Sequence, residues 1–475
     1  MQSSIKRVAF LSFGTQIFTR AINLGLSVSF IRFASADSVG YFTLLITAAQ
    51  MVCTLGRMGT NYSYSVILPQ RTDPKSKSRL TATYVIFSSI ISVLIAIIVL
   101  WQVMQNPASA AIPNKYNWLF LFLGIIYLYG DSLSEIIWSL HLAEGRFRAV
   151  FLRDVWLALG KGLIPLLGAL FFGILGVIGG LSITCIINSV AAINLLKNET
   201  KISQYLCIRK LFSWKDLLQL LKKGIPFFSV PLVSNLILWP LLMKVISNQG
   251  IERLDGLRVA QVCAQLVGVI SASLIPILLV KSGQNERIGD IMHQRSFQAC
   301  WIISILIYCI YALSDTTLLP LIFGQGPANN AISIARIAII AAAIQGLSQI
   351  PMQRPYPTSS LLKLSFLQVG SLLIAAIVSI TIILPINGLV SYTSIGLISP
   401  LITVIFLPGF IRHRLTPNST PVIAQICISI FLISTCFTPF NTSIEIGGLI
   451  ISMTAATLLN FRFLLELRPQ AQQNS

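Results

Sequence analysis

Six ionisable residues stand inside long apolar stretches of this sequence: the cations Arg20, Arg57, Lys161 and Arg336, and the carboxylates Asp131 and Glu135. A charge surrounded by hydrocarbon is costly, so such residues face a cavity, a partner or the route of a polar substrate. Asp131 and Glu135 are four residues apart in YLYGDSLSEIIW, which places both carboxylates on one face of a helix. At about 1.5 Å per residue, Arg20 falls roughly 18 Å in from the inner end of its stretch and Lys161 roughly 16 Å along its own, with Asp131 near the same level. Arg57 and Glu135 sit closer to the cytoplasmic side. Buried cations exceed buried carboxylates, and a cavity of net positive charge suits an anionic substrate. A plainer reading stands beside this one. The charges could pair and staple helices together, and Arg57 and Glu135 could snorkel to the interface. In the second half, Arg336 is the one clear buried cation, with Asp315 near the outer end of its own stretch. Gln345, Ser348 and Gln349 could serve sugar hydroxyls there, or simply pack.

Other chemistries lack their residues. The cysteines Cys53, Cys185, Cys207, Cys263, Cys300, Cys309, Cys427 and Cys436 are scattered without paired spacing and read as small apolar packing residues. His141, His293 and His413 fall in different loops, so no metal site is expected. There is no P-loop, no HExxH and no loop constellation that would make an enzyme. No cofactor is expected, and a proton or sodium gradient is the remaining obvious source of energy.

The elements that must hold these residues follow from composition. The 475 residues are 55% hydrophobic and 10% charged, with a mean hydropathy of +0.80. Soluble domains carry near a quarter charged residues. Apolar runs of about twenty residues, each long enough to cross a bilayer as a helix, recur along the whole chain. They are continuous rather than alternating, which excludes a strand barrel. The fold class is therefore all-α, a polytopic membrane protein. Fourteen spans are expected, at 7–31, 40–62, 81–103, 117–140, 150–172, 174–196, 224–246, 257–281, 297–323, 329–352, 363–385, 388–411, 420–439 and 443–464. The first is read as a retained helix rather than a signal peptide, because it is too long and carries Arg20 at its centre. The natural divisions are 1–196 as a first lobe, 197–223 as a basic linker, 224–412 as a second lobe, and 413–475 as a helix pair and tail.

With the N-terminus inside, twenty-five Lys and Arg residues face the cytoplasm, Arg153 among them. Five, including Arg258, face the other side. Both termini are then cytoplasmic. The net charge of +19 is this asymmetry, not a nucleic-acid footprint. FSWKDLLQLLKK within the linker reads as a basic amphipathic helix lying on the inner leaflet. A weak internal repeat links FIRFASADSVGYFTLLITAAQMV to LMKVISNQGIERLDGLRVAQVCAQLV, as duplicated transporter halves do. Prolines interrupt several spans, most of all GIPFFSVPLVSNLILWP. Gly176 and Gly180 in GVIGG have a small-xxx-small spacing that suits close helix packing.

The opening stretch resembles the multidrug/oligosaccharidyl-lipid/polysaccharide (MOP) exporter superfamily, and in particular its polysaccharide transporter family of Wzx-type flippases. The resemblance lies in a first helix with a central Thr19-Arg20-Ala21, then a turn and Gly40-Tyr41-Phe42, then a helix ending near a Gly pair. The inner loop HLAEGRFRAVFLRD and the layout of six helices, basic loop, six helices and an extra pair extend it over the chain. The resemblance implies two six-helix lobes in a V around a central cavity. It also implies alternating access that flips an undecaprenyl-diphosphate-linked oligosaccharide, an O-antigen or exopolysaccharide unit, across the bacterial inner membrane. By position, Arg20 and Arg57 match basic residues that line the first lobe's cavity in related lipid flippases. Implied partners are this lipid-linked substrate, membrane lipids, a polysaccharide polymerase and a chain-length regulator, with the transporter itself a monomer. Two alternatives stand. One is a lipid II flippase, which shares the fourteen-span count, although the second lobe here is poorer in buried cations. The other is a cation-coupled efflux pump for small organic cations, which would want acidic cavity walls. A purely structural or assembly role in the membrane is the reading furthest from these.

Overall fold

Polar residues that precede the apolar runs set where helices begin. The Ser35 hydroxyl accepts from Ser38 N to cap one helix. Asp73 accepts from Lys75 N and Ser76 N ahead of Pro74. Ser213 accepts from Asp216 N. Each satisfies amide donors that the first turn leaves without partners, and proline at the first position loses nothing there.

The computed structural model describes residues 2–106, 116–143, 146–199, 212–268, 286–352 and 358–410, and among them every regular element is helical. In chain order these are α1 (Gln2–Phe33), α2 (Ala36–Arg57), α3 (Thr60–Ile67), α4 (Pro74–Gln105), α5 (Asn117–Ala143), α6 (Phe147–Glu199) and α7 (Trp214–Gln249). Then come α8 (254–268), α9 (Glu286–Phe323), α10 (Gln325–Met352), α11 (Thr358–Val378) and α12 (Gly388–Phe410). A hydrogen-bonded helix is the element that satisfies every backbone group in lipid, which is why continuous apolar runs fold this way. Among the described residues nine helices are long and apolar enough to cross a membrane. The chain is thus a multi-pass membrane protein. The last two expected spans, 420–439 and 443–464, and the segment 413–475 lie outside the described residues. α1 is not among the nine, because Thr15, Gln16, Thr19, Arg20 and Asn23 break up its apolar residues.

The chain divides into two compact units, Met1–Arg258 and Val259–Ser475. In the first, α6 contains the two expected spans 150–172 and 174–196, reversing at Gly173, whose φ of 57° and ψ of −136° suit glycine alone. The two arms meet at Gly168 and Gly176. A Cβ added to Gly176 would lie 1.8 Å from the Gly168 carbonyl oxygen. Gly176→Val should therefore sharply reduce folded protein, read as monodisperse yield after detergent extraction. Gly179→Ala, whose Cβ would meet nothing within 4 Å, should leave that yield unchanged. Equal yields from both would refute the close approach.

α7 packs on α3 and α4 rather than standing apart from the first six spans. Gly59, with φ of 71°, and Gly224 bring the α3 turn and α7 so close that a Cβ at either would overlap the other's backbone. Arg71 Nη2 and Arg79 Nε each donate to the Asp216 carboxylate at 2.7 Å. Further along, Trp239 Nε1 donates to Gln102 Oε1 at 2.7 Å and Asn106 Nδ2 to the Met243 carbonyl at 3.0 Å. The expected basic amphipathic helix within 197–223 is thus held to the protein along one side from Trp214 onward. Residues 214–223 are the first turns of one continuous helix running through Pro226, Pro231 and Pro240. Burial of Asp216, Leu217 and Leu220 against α4 and its neighbours holds one side of those turns on the protein.

In the second unit α9 packs on α10, and α10 and α11 on α12. α11 ends in a π-turn at Ser379–Ile383. There Ser379 Oγ and Ser394 Oγ lie 2.8 Å apart, and Ser391 Oγ donates to the Ser379 carbonyl at 2.8 Å.

Candidate functional site

The candidate site is built on α1, α2, α5 and α6 of the first unit. α5 presents Asp131 and Glu135 on one face, as their spacing requires, but the two carboxylates find different partners. Asp131, almost fully buried, takes Lys161 Nζ of α6 at 2.5 Å. The thiols of Cys53 and Cys185 approach its two oxygens at 3.7 and 3.6 Å. Glu135, one turn on, lies between two guanidiniums. Arg153 Nη2 of α6 donates to its Oε1, and Arg57 Nη1 of α2 stands 3.7 Å from its Oε2. Arg57 is steadied by its own helix, with Nε donating to the Cys53 carbonyl at 2.8 Å. Arg153 also reaches Asp154 at 3.3 Å and lies over the Trp138 ring, 5.6 Å from its centroid.

Arg20 is half-buried on α1 with no ion pair among the described residues. Lys161 keeps 24% of its side chain accessible and Glu135 29%, so the cluster is lined up beside solvent-accessible space rather than sealed. A further cation, Arg258 of α8, is 8% exposed, donates to Ser27 Oγ at 2.9 Å and stands over the Phe42 ring. Counting Asp255, buried on the same helix as Arg258, the cations Arg20, Arg57, Arg153, Lys161 and Arg258 stand against Asp131, Glu135, Asp154 and Asp255 at this site. A set of this sign can hold an anion through charge-assisted hydrogen bonds.

Sequence reasoning had Arg20, Arg57, Lys161, Asp131 and Glu135, and the last four form two adjoining ion-paired groups. It counted Arg153 with the cytoplasmic cations and Arg258 with the outer ones, at the ends of the expected spans 150–172 and 257–281. Both are buried against neighbouring helices, Arg153 on Glu135 and Arg258 against Ser27 and Phe42. Among the described residues Cys53, Cys185, Cys263, Cys300 and Cys309 are buried, and the first two pack on a carboxylate. A weak signal for Arg153 existed: α5 and α6 are successive helices, with Asp131 and Glu135 on the one and Arg153 and Lys161, beside Asp154, on the other. The match was not legible by spacing, since Asp131 and Glu135 are roughly 6 Å apart along their helix and Lys161 and Arg153 roughly 12 Å along theirs. The long guanidinium arm absorbs the difference. Arg336 is not part of this group. It belongs to the second unit, where its Nε donates to Asp315 Oδ2 at 2.6 Å across α9 and α10. Gln345 is exposed on α10, and the side chains of Ser348 and Gln349 lie outside the described residues. Among the described residues no group of His, Cys, Asp and Glu could hold a metal ion.

No protein-family model matches the chain, and no curated protein matches it. Solved structures do. Lipid II flippase MurJ in an inward closed conformation aligns over 96% of this chain and 99% of its own at 15% identity, with a TM-score of 0.66. An outward-facing multidrug resistance MATE family transporter of the MOP superfamily aligns over 91% of this chain and 97% of its own at 13% identity, TM-score 0.56. A MOP superfamily transporter from Pyrococcus furiosus, described as having a binding pocket of reverse polarity, aligns over 86% and 96% at 13% identity, TM-score 0.57. These neighbours are flippases and transporters. Whole-length agreement with them gives this chain the fold of the membrane transporters of the MOP superfamily.

Proposed function

We propose that the protein is a flippase for an anionic lipid-linked oligosaccharide, an undecaprenyl-diphosphate carrier bearing an O-antigen or exopolysaccharide repeat unit. It would work in a bacterial inner membrane with both termini cytoplasmic. The observation that carries this reading is the set of part-buried and buried cations that α2 and α6 gather around Glu135 and Asp131. Two guanidiniums share the carboxylate of Glu135, and Arg20 has no counter-ion among the described residues. Such a set attracts a diphosphate and repels the organic cations that a drug efflux pump of the same fold would carry. In this scheme Arg20 and Arg57 grip phosphate oxygens, and Lys161 joins them when its carboxylate partner is neutralised. A proton delivered to Asp131 would release the Lys161 ammonium, and its loss to the cytoplasm would restore the pair and free the lipid. Arg336, held by Asp315, would contribute only if that pair opened. A polymerase and chain-length regulator would receive the flipped unit from a monomeric transporter.

A lipid II flippase is the second reading, favoured by the similarity to MurJ, since it too carries a diphosphate lipid. Both readings predict that Arg20→Ala abolishes flipping of diphosphate-linked lipid in proteoliposomes while leaving folded protein in the membrane. Arg20→Lys should recover only part, because lysine keeps the charge but not the bidentate fork. The same assay run with lipid II and with a polysaccharide repeat unit separates the two readings. Undiminished flipping by Arg20→Ala, with export of a cationic dye instead, would sink both.

A further inference from the structure

The first turns of α7 carry a feature that transport does not use. At about 100° per residue, Trp214, Leu218 and Ile225 fall within about 40° of one another around the helix. They are 72%, 65% and 54% exposed. Lys215 and Lys222 lie side by side on the next strip, with Lys223 beyond them, and all three are exposed. The opposite face is Asp216, Leu217, Leu220 and Gly224, all buried. Three strips thus run along the same turns: one apolar and open, one cationic and open, and one bound to the protein. The bound strip is rigidly fixed, since Asp216 accepts from both Arg71 and Arg79 and Arg71 Nη2 donates to Gln219 Oε1 at 2.9 Å. The open strips therefore point in set directions. Phe212 stacks edge-on against Trp214, with centroids 5.2 Å apart, extending the aromatic end. Exposed Lys75, with Arg79 46% exposed, adds positive charge from the start of α4.

We propose that Trp214–Ile225 forms a docking surface for anionic phospholipid headgroups of the adjacent leaflet. The indole and leucine seat at the acyl boundary, as aromatic residues do at membrane interfaces. The lysines flank that strip on the same turns, where each basic residue adds to the attraction of an anionic surface. The occupant is a lipid because the charges sit beside an apolar strip on a helix that continues directly into the membrane. An acidic soluble partner would complement the lysines but leave Trp214, Leu218 and Ile225 unmatched. The proposal holds whichever substrate the protein carries.

The test uses the purified full-length protein in vesicles of mixed phosphatidylcholine and phosphatidylglycerol, each spin-labelled in turn, reading the fraction of lipid immobilised at the protein. The wild type should select phosphatidylglycerol. The triple variant Lys215→Gln, Lys222→Gln, Lys223→Gln should lose that selectivity on the order of tenfold. High salt should weaken the wild type and leave the variant unmoved. Lys244→Gln, exposed near the other end of the same helix, should behave as wild type. All four substitutions are of exposed side chains, and retained monodispersity checks the fold. A wild type without selectivity, or a triple variant that retains it, overturns the proposal, and so does an equal loss from Lys244→Gln.

Discussion

Lys161→Met should destabilise the protein by roughly 3–5 kcal/mol, the cost of leaving one partner of a buried pair without the other. Asp131 is 7% accessible at the side chain, and Lys161 is its only charged contact within 4 Å among the described residues. The thiols of Cys53 and Cys185 are weak donors and cannot replace an ammonium. Removing the carboxylate as well should recover most of the loss, because a neutral, similarly sized pair avoids desolvating two ions. The expected order of stability is therefore wild type close to Asp131→Asn/Lys161→Met, with Lys161→Met far below. Asp131→Asn alone should fall between them, since Lys161 keeps a quarter of its side chain accessible and can be hydrated. Detergent-solubilised protein followed through a thermal scan by size-exclusion chromatography ranks the four. If the double variant is as unstable as Lys161→Met, the pair is not what holds α5 against α6 at this level.

The double variant also gives the test of energy coupling. It should fold and still flip lipid down a concentration gradient, but lose its response to an imposed proton gradient. The step requires a carboxylate at position 131 that takes up a proton and a cation that is thereby released, and the double variant has neither. Glu135→Gln is the companion. It strips the counter-ion from Arg57 and leaves Arg153 only Asp154, so it should leave phosphate binding intact or tighter while slowing release. Transport should fall because the lipid stays bound, which appears as a lower Kd for the diphosphate lipid beside a lower turnover. Proteoliposome flipping with and without the gradient reads the first effect, and equilibrium binding the second. A full gradient response from both variants would place coupling outside α5. Weaker binding by Glu135→Gln would make Glu135 part of the grip rather than its release.

What could be read without coordinates, and what could not, divides along one physical line. Local sequence decided the all-helical membrane fold, since a run of twenty apolar residues in lipid has few other ways to satisfy its backbone. It also decided that Asp131 and Glu135 share a face, because helical periodicity acts over four residues. Caps at Ser35, Asp73 and Ser213 are local in the same sense. Long-range pairing was beyond it. Asp131 meets Lys161 across 30 positions, Asp216 meets Arg71 across 145 and Arg258 meets Ser27 across 231. Nothing in a hydropathy pattern specifies which helices are neighbours or how each is rotated about its axis. Arg153 shows the consequence: counted along the chain it belongs with the basic residues at the inner end of its span, yet the packing of α6 on α5 buries it on Glu135. The basic helix at 214–223 shows the converse. Its composition is that of a surface helix, and its lysines are indeed exposed, but docking of Asp216 between two arginines makes it the anchored end of a membrane helix. Composition determined what each segment could be, and packing between distant segments decided which charges remain available for a substrate.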